Sequence, residues 1–261
     1  MRPQKGTGNV LKATSLTAIL IVLPLYFWRI FYPVTDWAII SLAFLAAVTF
    51  IGIFFSSASL FKAQMKVAVR STSPHKKWFT GRLRAVFKAV AFATFATLIL
   101  GWQAVTVPTE VAIALILLCV FASSTTFLSE RFLENHLTAP FARVSGAYFG
   151  TAVATIVFLP VLVWINLSMV SYPAEFKTHS WSQLILIGQR ELPERRGWIS
   201  ELLSVFYVLE YSKLWLVIQL GTSRWVAILY SLDTALGGLI LARASAVLSN
   251  SLRYLTGDQR N

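Results

Sequence analysis

The sequence predicts an all-α fold: a polytopic transmembrane helical bundle of six or seven spans, with its N-terminus in the cytoplasm. Three observations predict it. Of the 261 residues, 56% are hydrophobic and only 13% charged, about half the charged share of an ordinary soluble domain. The charges gather in gaps between apolar runs of about twenty residues, the length that crosses a bilayer. These runs are apolar on every face, as spanning helices are, and do not alternate as the strands of a closed barrel would. Residues 1–261 therefore read as a single integral membrane domain.

Arg2, Lys5 and Lys12 mark a short cytoplasmic tail, and Ala13–Trp28 is the first span. A secretory signal peptide would need a small-residue cleavage site, but Arg29-Ile30-Phe31-Tyr32-Pro33 follows, so the span is expected to stay uncleaved. Tyr26, Trp28 and Tyr32 suit an interfacial aromatic belt. After a turn around Pro33 and Asp36, Trp37–Phe61 is the second span.

Residues 62–88 carry eight Lys/Arg and no acid. Positive residues beside spans stay on the cytoplasmic side, so this is a basic cytoplasmic loop that orients its neighbours. Its second half contains an amphipathic helix able to lie at the inner headgroup layer and run into the next span: Phe79, Leu83, Val86, Phe87 and Val90 recur at helical spacing after a turn at Ser71–Pro74. Lys76, Lys77, Arg82, Arg84 and Lys88 fall largely elsewhere on that helix and are candidate contacts for anionic lipid headgroups or a partner.

Ala89–Trp102 completes the third span, Gln103–Glu110 turns outside, and Val111–Leu128 is the fourth. Ser129–Arg143 is a mixed-charge inner loop before the fifth span, Gly146–Val170. Gly146, Gly150 and Ala154 form a small-residue stripe that lets a second helix approach closely, in this chain or in another copy. Residues 172–197 make a polar extracytoplasmic loop, within which Trp181–Ile187 is too short to cross. Trp198–Leu220 and Trp225–Leu248 are the last apolar segments.

Lys/Arg number 13 on the predicted inner side through the fifth span (3 in the tail, 8 in the basic loop, 2 in the next loop) against five outside. Seven spans would strand Arg243, Arg253 and Arg260 outside; six would keep them inside, with one apolar segment failing to cross. Length favours seven and tail charge favours six.

Glu210 and Lys213 are three apart on one helix face, and Asp233 lies in the next segment. A tight turn at Gly221-Thr222-Ser223 would bring all three to mid-bilayer, where ionisable groups face the interior and are paired or functional. Thr234, Gly238, Ala242 and Ala246 form a second small-residue stripe beside Asp233.

Other chemistry has little footing. His75, His136 and His179 lie in three separate polar stretches, and no metal-ligand spacing, Walker A sequence or GxGxxG occurs. No metal or cofactor is expected. Cys119 is the single cysteine, so an intramolecular disulfide is impossible. The net charge of +12 lies mostly beside apolar spans, where topology and lipid account for it better than nucleic acid does.

The expected function is non-enzymatic: a structural, assembly or anchoring subunit of a membrane complex. Its expected partners are the bilayer, anionic headgroups, and another membrane protein or a second copy. A multi-pass bacterial inner (plasma) membrane location fits. The alternatives are a channel or transporter component using Glu210, Lys213 and Asp233, and, more weakly, a lipid-directed enzyme using Glu130, Arg131, Glu134 and His136.

Overall fold

A computed structural model describes residues 5–68, 81–107, 109–169, 180–190, 197–219 and 231–255. Ser71–Pro74, His75, Lys76, Lys77, Phe79 and His179 lie outside the described residues. Eight helices and no strand occur among those described: α1 (Lys5–Phe31), α2 (Ile39–Ala68), α3 (Arg82–Thr106), α4 (Thr109–Leu133), α5 (Ala139–Met169), α6 (Trp181–Arg190), α7 (Trp198–Gln219) and α8 (Leu232–Leu255). Six of them, α1–α5 and α8, are long and apolar enough to cross a membrane. The chain is an all-α polytopic bundle.

The last helix is the centre. In α8, 78% of the Thr234–Arg253 stretch is buried, against 22–44% in the other five spans, and α1–α5 all pack on it. Its small residues explain why. A Cβ on Gly237 would land within the Gln103 side chain of α3, and one on Gly238 would come 2.8 Å from Leu162 of α5. Ala242 and Ala246 are fully buried. Only a helix this thin can be surrounded by five others at packing distance.

The two ends of the bundle differ in chemistry. At the turn end, α1 passes to α2 through a 3₁₀ turn, Asp36–Ala38, capped by the Thr35 side chain. There the Arg29 guanidinium donates to the Val107 carbonyl at the end of α3, at 2.9 Å. The basic end holds the start of α3, the end of α4 and the start of α5. Gly81, in the left-handed region (φ 70), sits against Phe61 of α2 just before α3 begins.

Arg253, near the end of α8, pairs with Glu130, near the end of α4, so α8 finishes at the basic end. Gln103, near the end of α3, meets Gly237, so α8 starts at the turn end. The stretch between α5 and α8, which contains α6 and α7, therefore leaves and returns on one side. Among the described residues six helices are long and apolar enough to cross, with the start of α1 and the end of α8 at the same end of the bundle.

Two expectations are corrected. The last helix continues seven residues past Leu248, where its apolar window closes, because Asn250, Ser251 and Arg253 bond to neighbouring helices. Trp28 does not face outward: it is 3% exposed, with its indole N–H donated to the Gly101 carbonyl at 2.9 Å. The basic helix runs into the third span as expected, since α3 is unbroken from Arg82 to Thr106.

Candidate functional site

The polar heart of the bundle is at its basic end. Glu130 is 7% exposed, because Gly146 of α5 lies directly against its backbone and leaves the carboxylate facing α8. Arg253 donates to one Glu130 oxygen at 2.6 Å and also to the Asn250 side chain. Arg143, at the start of α5, approaches the other oxygen at 3.4 Å, and the Asn250 amide donates to the Arg143 carbonyl at 3.1 Å. Phe127 covers the Arg253 guanidinium at 5.2 Å. Three helix ends are thus joined by one carboxylate between two guanidiniums, a charge-assisted arrangement much stronger in a desolvated site than in water. Ser251, next to Asn250, donates to the Gly52 carbonyl of α2 and adds a fourth helix.

This network divides the group Glu130, Arg131, Glu134 and His136. Glu130 points inward and is engaged, whereas the other three are exposed. The sequence signal that could have found it was parity. An even span count puts the Arg253 end of the last helix beside the acids at the fourth span's inner end, Glu130 and Glu134.

Glu210 and Lys213 form an ion pair at 3.1 Å, with both side chains about a quarter exposed (25% and 28%). They lie on α7, which packs on α6 through Leu184 and Tyr211, while the Trp181 indole donates to Ser212 at 3.0 Å. The N-terminal half of α7 docks at the turn end, where Ile199 and Leu203 join Trp28, Ala38 and Leu42 and Phe206 stacks on Trp102. Asp233 falls in the first turn of α8, one turn beyond the Gly237–Gln103 contact. That is the turn end of the bundle, not its middle. The side chain of Asp233 lies outside the described residues.

Both small-residue stripes find their partners within the chain. Cβ atoms added at Gly146 and Gly150 would lie 2.8 and 2.6 Å from the α4 backbone at Glu130 and Thr126. Thr125 bonds the Gly150 carbonyl across that seam at 3.1 Å, and Ala154 is fully buried. Thr234 is buried, and Gly238 and Ala242 face the core formed with α4 and α5. Cys119 is also buried there, accepting from Ser245 of α8 at 2.9 Å.

Of the candidate lipid contacts, Arg82 and Arg84 are exposed on the first turn of α3 and Lys88 is half-buried. Arg84 lies over the Phe61 ring at 4.8 Å. No group of three or more His, Cys, Asp or Glu among the described residues is placed to hold a metal ion.

No family model matches the chain, and neither does any curated protein or solved structure. The class rests on the fold itself. Six long apolar helices around a buried polar knot define a multi-pass integral membrane protein.

Proposed function

We propose that this chain is a non-enzymatic structural or assembly subunit of a membrane complex, with its basic end on the cytoplasmic face of a bacterial inner membrane. The observation that carries the reading is the use of the central helix. Ser245, Asn250, Ser251 and Arg253 of α8 are each bonded to Cys119, Arg143, Gly52 and Glu130 on α4, α5 and α2. Polar groups consumed in tying helices together support a rigid scaffold rather than a conducting path.

The channel reading draws less support from the geometry. The Glu210–Lys213 pair sits on α7 against α6, outside the ring of helices packed on α8. The lipid-enzyme reading loses its central acid to two arginines. The positive-inside rule supports a cytoplasmic basic end, where Lys62, Arg82, Arg84 and Lys88 would meet anionic headgroups.

The test is purification of the tagged full chain in a mild detergent, with co-purifying membrane proteins quantified, alongside ion and solute flux in liposomes. The expected outcome is a partner or second copy in fixed ratio, and no flux. Flux that disappears on Glu210→Gln or Lys213→Met would overturn the reading in favour of a transport component.

A further inference from the structure

Arg243 lies within α8, on the order of 15 Å from Arg253 along the helix axis at about 1.5 Å per residue. It is largely removed from solvent, and among the described residues no carboxylate pairs with it. Its Nη1 is buried and has no hydrogen-bond partner. The guanidinium lies flat on Tyr148 of α5, 3.7 Å from the ring centroid. A cation at this depth is costly, and an aromatic face relieves only part of that cost.

Two further cations continue outward from the same ring. Lys88 of α3 donates to the Tyr148 hydroxyl at 3.1 Å and lies 6.0 Å from the Phe61 ring. Arg84, one turn earlier in α3, lies over the same Phe61 ring at 4.8 Å. The three helices are held close by alanines next to these residues: Ala89, Ala147 and Ala246 are fully buried together with Ile53 and Val247. Tyr148 remains half exposed, so the column opens sideways. Because its hydroxyl oxygen accepts from Lys88, its own O–H is left to donate.

We infer that Arg243, Tyr148, Lys88 and Arg84 form a binding site for a phosphate-type oxyanion, entered laterally from the basic end. The site presents the buried Arg243 N–H, the Tyr148 O–H and the Lys88 ammonium to one anion, and no acid among the described residues neutralises it. Forked guanidinium and ammonium donors around a single point are what phosphate oxygens require. The lateral opening beside half-buried basic residues fits the headgroup of an anionic phospholipid. The inference stands apart from the scaffold reading, because lipid retention and partner co-purification fail independently.

The experiment is native mass spectrometry of the full chain in mild detergent, with phosphatidylglycerol, phosphatidylcholine or inorganic phosphate added. The expected result is retention of phosphatidylglycerol over phosphatidylcholine, weakened about tenfold by Arg243→Gln and by Lys88→Gln, with Arg243→Lys intermediate. Inorganic phosphate that displaces the lipid and binds with the same dependence on Arg243 also supports the site, and assigns it to a soluble anion. Equal retention of both lipids, or phosphatidylglycerol retained unchanged by the variants, overturns the inference. If Arg243→Gln fails to fold, Lys88→Gln and Tyr148→Phe at the open rim give the same reading.

Discussion

Glu130 is held by the buried Arg253 and the partly exposed Arg143, in a site where Arg253 cannot exchange its ion pair for water. Removing Glu130 alone leaves the buried Arg253 uncompensated, whereas removing both leaves Arg143, whose side chain is partly open to water. Glu130→Ala is therefore expected to lower stability by about 3–5 kcal/mol. The pair Glu130→Leu with Arg253→Met should recover most of that loss, since well-packed apolar replacements of buried ion pairs are often neutral. Thermal unfolding in detergent micelles, followed by tryptophan fluorescence, checks both, and a double variant no better than Glu130→Ala would contradict the account. At this scale the sequence named Glu130 but not its partner. Residues 130 and 253 are brought together by three intervening helices, and no local spacing encodes that approach.

The glycines of the packing seams are distinguished by what lies opposite them. At Gly150 a Cβ would sit 2.6 Å from the Thr126 backbone, so α4 and α5 would have to separate. Gly150→Ala is expected to destabilise by about 1–3 kcal/mol, as overpacking does. At Gly52 the nearest atom is Leu248 Cα at 3.5 Å, an ordinary contact. Gly52→Ala should be neutral or stabilising by up to about 1 kcal/mol, because alanine is the better helix former. The same unfolding assay separates the two, and equal effects would remove the packing argument. The stripe at Gly146, Gly150 and Ala154 was legible in the sequence as a close-approach surface. Its partner was not, because small residues license contact without choosing the helix that makes it.

For the whole molecule, parity is the strongest constraint. Paired topology reporters placed before α1 and after Asn261 are expected to report the same side, and opposite sides would break the six-span arrangement. Truncation after Leu248, where the apolar window closes, removes Asn250, Ser251 and Arg253 and with them the ties to α5, α2 and α4. Such a chain is expected to lose its compact fold, seen as rapid limited proteolysis in membranes compared with the full chain. Persistence of the protease-resistant bundle would show that α8 is held by its apolar face alone.

The sequence by itself determined the membrane class, the helical fold and the approximate place of five spans. Each of these follows from local chemistry: a backbone in hydrocarbon must bond within its own segment, and about twenty apolar residues suffice to cross. Only the tertiary structure decided that α8 is the core and ends at Leu255, that Trp28 turns inward, and that Arg253 meets Glu130. Hydropathy counts Ser, Asn and Arg as breaks in a span, yet their effect depends on whether a neighbouring helix offers a carbonyl or a carboxylate at that depth. That supply is a property of packing, distributed over residues far apart in the chain.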